Sequence, residues 1–230
     1  MMDVPSAVIF DLDGCLVDSE PLSLEVIATE MNNLGIDDAS IHYVRDRFLG
    51  VSIQDICKHV SDRLGKACPA DFTERVEDRL LEEYKTRLRQ IPDAENLLRH
   101  LTDAGVKTAL ATGSSLRRMG ATLDISGLAV HFAGTAFSAD QVTNGKPAPD
   151  LFLLAAEGIS VLPENCVVIE DSPHGVKGAR AAGMTALGFI GGAHLHDIRA
   201  DQSQVLRDAG ALEIFESLQE IGDEILRSLK

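Results

Sequence analysis

The chain has 230 residues, and 21 Lys plus Arg against 36 Asp plus Glu give it a formal charge of −15. With 45% apolar and 25% charged residues it has the composition of a folded globular protein rather than a disordered or fibrous one. The acid excess argues against nucleic acid and anionic membrane as partners, but not against a small phosphorylated substrate, since one lysine and one metal ion can reverse the field locally.

Ser6 to Phe10 (SAVIF) is a short apolar, β-branched run that stops at acids, the pattern of a buried parallel strand. Residues 20–90 then show no convincing strand. Pro21 to Leu34 is predicted as a helix with Gly35 after it, and Ile53 to Leu64 and Phe72 to Leu88 as two further amphipathic helices. This stretch is too long for a loop, so an inserted helical domain is expected. A helix over Asp93 to Ala104 follows, with Leu97, Leu98 and Leu101 on one face. Strand-like runs then recur at Lys107 to Ala111, Cys166 to Ile169 and Thr185 to Phe189. Helical patterns at Leu116 to Leu123, Asp150 to Glu157 and Gly175 to Ala182 fall between them, and Leu218 to Leu229 is predicted as a closing helix. This alternation implies α/β units on a parallel sheet.

No apolar run approaches the roughly 18 residues that span a bilayer. The best, Met184 to Ala193, is about half that and holds three glycines. Met1, Met2 and Asp3 carry no basic segment, so no signal peptide is expected. Cys15, Cys57, Cys68 and Cys166 form no C-x-x-C pair and stand near no His cluster. Reduced thiols in a cytoplasmic protein are expected, rather than structural zinc or disulfides.

Four segments carry chemistry. The first strand runs into Asp11-Leu12-Asp13-Gly14, and side chains two apart at a strand end share a face. Two carboxylates there call for a cation, although a plain Asp-Gly turn gives the same letters. Thr112-Gly113-Ser114-Ser115 precedes a helix and suits an anion, held by a hydroxyl and backbone N–H groups; a simple N-cap by Ser114 or Ser115 is the alternative. Lys146 stands before Pro147 and Pro149, which fix its backbone, and is either a placed ammonium or a surface lysine. Glu170-Asp171-Ser172-Pro173 ends another strand with oxygen ligands of the kind Mg2+ prefers, while Asp171 or Ser172 can also cap the helix that Pro173 starts.

Together, DLDGCLVDSE, ATGSS, GKPAPD and VIEDSPHGVKGARAAGM resemble the motifs of the haloacid dehalogenase superfamily. The subgroup is the one with a helical cap that includes β-phosphoglucomutase, phosphoglycolate phosphatase and sugar phosphatases such as 6-phosphogluconate phosphatase. The resemblance covers almost the whole chain. It implies an α/β fold with a Rossmann-like parallel-sheet core over 1–17 and 91–230 and an all-helical cap over 18–90, hinged at Asp18-Ser19 and Thr86 to Pro92. It implies Asp11 as nucleophile, Asp13 as general acid and base, and Thr112, Gly113, Ser114 and Lys146 around the phosphoryl group. It implies Mg2+ on Asp11, the Asp13 carbonyl and Asp171, with Glu170 a direct or outer ligand.

An acid at Asp13 favours phosphate esters over alkyl halides, because an alkoxide needs a proton on leaving and a halide does not. β-Phosphoglucomutases carry an arginine where this chain has Ile53 in Gly50-Val51-Ser52-Ile53, and a histidine near the position of Ser23. Ile53 cannot grip a second phosphate as arginine would. The expectation is therefore a phosphatase of a small phosphorylated sugar or sugar acid, a monomer or weak homodimer. A sugar phosphomutase, a catalytically silent phosphometabolite binder and a 2-haloacid dehalogenase are the alternatives. Gly50, Ser52, Ile53 and Arg47 are the candidate substrate contacts in the cap. Arg45, Arg47 and Lys58 read as solvated charges in preference to substrate contacts, and His194, after Gly191-Gly192-Ala193, reads as an exposed loop histidine that could border the site.

Overall fold

The computed structural model describes residues 5–228. The expectations placed on Met1 to Asp3 and on Leu229 lie outside the described residues. The chain divides into two compact units, one running to Asp18 and resuming at Arg89, the other Ser19–Leu88.

The first unit is built on six parallel strands: β1 (Ala7–Phe10), β2 (Lys107–Thr112), β3 (Ala136–Ser138), β4 (Cys166–Glu170), β5 (Thr185–Phe189) and β6 (Glu213–Phe215). Their spatial order is β3-β2-β1-β4-β5-β6, so β1 is central, with Phe10 opposite both Leu110 and Ile169. Every residue of β1 and β4 is buried, as apolar runs covered on both faces require. This is the Rossmann-like parallel sheet expected. The edge strands β3 and β6 were not predicted from sequence; each has three residues, and β6 begins with the exposed Glu213.

The second unit holds α1 (Glu20–Asn33), α2 (Ile41–Phe48), α3 (Ile53–Leu64) and α4 (Phe72–Arg87). Pro21 sits in the first turn of α1, where its missing N–H has no partner to lose. Ser52 caps α3 by accepting from the Asp55 N–H, and Gly65 ends that helix in the left-handed region. Helix α2 was not predicted, because of its eight residues only Val44 is buried and no apolar stripe marks it.

The first unit carries α5 (Ala94–Asp103), α6 (Leu116–Ser126), α7 (Asp150–Gly158), α8 (Pro173–Ala181), α9 (Arg199–Ala209) and α10 (Leu218–Ser228). Leu97, Leu98 and Leu101 of α5 are buried, each contributing about 1.5–3 kcal/mol. Helix α8 begins at Pro173, the residue read as its start and two before the helical pattern at Gly175, with Ser172 accepting from the His174 N–H. No described helix is long and apolar enough to cross a membrane.

Candidate functional site

The carboxyl ends of central strands in an open parallel sheet are where ligands bind. Here the ends of β1, β2 and β4 bring Asp11, Thr112, Glu170 and Asp171 to one edge of the sheet. The Asp11 N–H donates to the Ile169 carbonyl at 3.0 Å, continuing the β1–β4 ladder into the site.

Lys146, from the segment before α7, enters this group of acids. Its Nζ donates to Asp11 Oδ1 at 2.6 Å and to Glu170 Oε1. The second oxygen of Glu170 accepts from the Ser172 N–H at 3.1 Å, so Glu170 ties the lysine to the start of α8. Asp13 is held separately, by Ser114 Oγ at 2.6 Å and by the Arg118 guanidinium at 2.8 Å. The Ser114 N–H donates to Thr112 Oγ1 at 3.1 Å, and its carbonyl accepts from buried Ser138.

The electrostatics are dominated by burial. Burial pushes the Asp11 carboxyl well above the ordinary carboxylate range; Lys146 opposes this, and Glu170, Asp171 and Asp13 add to it. Glu170 is raised in the same way by burial, against Lys146 and with Asp171. Burial alone would lower Lys146, but Asp11 and Glu170 outweigh it and hold the ammonium charged.

Residues 5–183 match the haloacid dehalogenase-like hydrolase family. The chain belongs to that family. A phosphorylated carbohydrates phosphatase of Thermotoga maritima is 33% identical over 97% of this chain and 98% of its own length. A haloacid dehalogenase-like protein of unknown function from Agrobacterium tumefaciens is 31% identical, with a TM-score of 0.79 over 98% of this chain and 99% of that one. A hydrolase of the family from Deinococcus radiodurans, solved with phosphate and sodium, is 30% identical, with a TM-score of 0.78 over 98% of this chain and 97% of that one. The expected enzyme, a phosphatase of this superfamily, agrees with the family and with the first of these relatives.

In this haloacid dehalogenase-like chain, Asp11, Asp13, Thr112, Ser114, Lys146, Glu170 and Asp171 come together as their motifs suggested. Gly113 lies between Thr112 and Ser114 with its backbone exposed. The four candidate substrate contacts lie in the helical unit. Arg47 stacks over the Tyr43 ring at 4.1 Å, Gly50 adopts a left-handed turn, Ser52 caps α3 and Ile53 is that helix's first residue. Two site residues escaped the sequence. Arg118 carries no motif of its own, and its place one turn after the ATGSS segment is the one signal the sequence offers. His194 is a correction: it is buried, not an exposed loop residue, because the turn after β5 folds it inward to 3.0 Å from Asp171 Oδ2.

The donor set fits a hard divalent cation. Ligand atoms of Asp11, Cys15 and Asp171, all buried, lie within 4.8 Å of one another. Burial, then Asp171, Asp11 and Glu170, push the Cys15 thiol up, so it stays protonated and offers no thiolate. Oxygen donors remain. Asp11 and Glu170 share the Lys146 ammonium while Asp171 adds its charge beside Asp11, and a divalent ion would balance the excess of acid.

Proposed function

We propose that this chain is a Mg2+-dependent phosphatase of a small phosphorylated carbohydrate, acting through an aspartyl-phosphate on Asp11. The observation that carries it is Lys146 bound to Asp11 Oδ1 at 2.6 Å inside a buried acidic group, with Asp13 held alongside by Ser114 and Arg118. The Asp11 carboxylate attacks phosphorus, the ester P–O bond breaks, and Asp13 gives its proton to the departing sugar oxygen. Asp13 then takes a proton from water, whose oxygen attacks phosphorus. The P–O bond to Asp11 breaks and inorganic phosphate leaves. Thr112, Gly113 and Ser114 hold phosphoryl oxygens, and Lys146 neutralises charge between them and Asp11.

Asp11, Asp171 and the Asp13 carbonyl would hold Mg2+, which supplies positive charge to the phosphoryl group. We assign Glu170 to holding Lys146, since both its oxygens are engaged by protein donors. The substrate class rests on the carbohydrate phosphatase of Thermotoga maritima. Ile53, in place of the arginine of β-phosphoglucomutases, weighs against a mutase. We further propose a monomer or weak homodimer in the cytoplasm, a compartment that suits four unpaired thiols.

The test is phosphate release with Mg2+ from a panel that includes 6-phosphogluconate, hexose phosphates, hexitol phosphates, phosphoglycolate and β-glucose 1-phosphate. Release from a few sugar phosphates, lost with EDTA and lost at least about 10³-fold in Asp11→Asn, is expected. Turnover retained in Asp11→Asn would sink the covalent route. Turnover retained after exhaustive chelation would sink the metal.

A further inference from the structure

The phosphatase reading leaves His194 without a task. We propose that His194 is the positioning residue of Asp171, fixing the carboxylate that would hold Mg2+; this rests on the metal reading above. The imidazole is 1% exposed, and its Nε2 lies 3.0 Å from Asp171 Oδ2.

The place for this ring is built by backbone. Gly14, at φ +83°, lies against the pair: a Cβ there would stand 2.2 Å from Asp171 Oδ2 and 2.9 Å from His194 Cε1. A Cβ on Gly192 would stand 2.6 Å from Cε1 and 2.7 Å from Nδ1 of the same ring. Contacts that short do not occur, so the two glycines are what admit the ring. The turn that carries it is anchored beside the Asp11–Asp13 segment. The Ala193 N–H donates to Asp18 Oδ1 at 3.1 Å, and the Leu195 N–H to the Gly192 carbonyl at 3.1 Å.

Asp171 is gripped from its other side too. Buried Gln202 donates to its backbone carbonyl at 2.7 Å. Gln202 thus fixes the main chain of Asp171, and the buried His194 ring, with Nε2 3.0 Å from Oδ2, limits where the side chain can turn and leaves the other carboxylate oxygen for a cation. A carboxylate already held in place loses less rotamer freedom when it binds. Partners that orient metal ligands in this way typically change affinity 10–100-fold when removed. A histidine that only filled space would stabilise the fold and leave metal affinity alone.

The experiment is calorimetric titration of Mg2+ into the full chain, with melting of the metal-free proteins alongside. The variants are His194→Ala, His194→Phe, His194→Gln and Asp171→Asn. Phe keeps a ring without nitrogens, and Gln restores an N–H donor. Expected is a Mg2+ dissociation constant raised about 10-fold or more in the Ala and Phe variants, partly recovered in Gln, and binding lost in Asp171→Asn. Ala and Phe variants that bind within twofold of wild type, while Asp171→Asn does not bind, would overturn the positioning role alone. Asp171→Asn binding like wild type would overturn the metal reading and this inference with it. If the Ala variant does not fold, Phe against Gln decides: equal affinities overturn the proposal, and weaker binding by Phe upholds it.

Discussion

Each unit buries acid against base, and the two do it with opposite balance. In the helical unit the buried carboxylate of Glu30 meets two arginines, Arg79 at 2.8 Å and Arg75 at 3.3 Å, whose side chains are 47% and 39% exposed. One buried negative charge faces two positive ones that reach water, and the exposed Asp71 stands 3.5 Å from Arg75. In the sheet unit Asp11 and Glu170 share Lys146, itself only 10% exposed, and Asp171 adds its charge beside Asp11. The first arrangement is complete as it stands and joins α1 to α4. The second is short of positive charge in a place where water cannot supply the deficit, and that is the property of a site rather than of a brace.

Asp13→Asn tests the sheet unit most severely. Asparagine keeps one acceptor oxygen for the Arg118 guanidinium, its NH2 can donate to a turned Ser114 hydroxyl, and it cannot shuttle a proton. Turnover of sugar phosphates is expected to fall about 10²–10⁴-fold, while p-nitrophenyl phosphate, whose leaving group needs no proton, falls far less. Equal losses on both substrates would remove the acid role and leave Asp13 as a partner of Arg118.

The opposite balances predict opposite signs on stability. In metal-free protein, Asp171→Asn removes one of three mutually repelling carboxylates and is expected to raise the unfolding free energy by about 1 kcal/mol. Glu30→Gln removes the one charge that two arginines share and is expected to lower it by about 1–2 kcal/mol, softened because both arginines reach solvent. Urea unfolding in EDTA measures both. Loss of stability in both variants would mean that Asp171, like Glu30, is compensated within the protein, by the His194 ring at 3.0 Å, and would remove its repulsion as an argument for a cation.

The two units also differed in how well the sequence foretold them. The central strands β1, β2, β4 and β5 announce themselves because burial on both faces demands uninterrupted apolar runs. Strands β3 and β6 are three-residue edges and carry too little pattern. Helix α9 buries only Gln202 and Leu206, so its sequence looks like solvent-facing chain. The motif acids were legible because each sits where an apolar run stops. Arg118 and His194 were not, because their meaning depends on what lies across the fold: Asp13, 105 positions earlier, and Asp171 across the turn that follows β5. The glycines at 191 and 192, directly after a strand, were the visible trace of a close approach.

In the helical unit the least legible residues are the candidate substrate contacts, and Ser52 sharpens the contrast at the smallest scale. Its Oγ accepts from the Asp55 N–H at 3.2 Å and donates to Asp55 Oδ2 at 2.8 Å. Both hydrogen-bonding roles of the hydroxyl are therefore committed to the first turn of α3. Ser52→Ala removes them and is expected to lower the unfolding free energy by about 1 kcal/mol, the usual worth of an N-cap. Ser52→Asp, which caps equally well, should restore that stability, and it would repel the substrate phosphate only if residue 52 is a substrate contact. The Michaelis constant separates the two roles. If Ser52 only caps, KM for the preferred sugar phosphate stays level in both variants while stability falls and returns. A KM that rises in Ser52→Ala and rises further in Ser52→Asp would make the hydroxyl a substrate contact, and the helical unit would share the chemistry that the buried acids otherwise confine to the sheet unit.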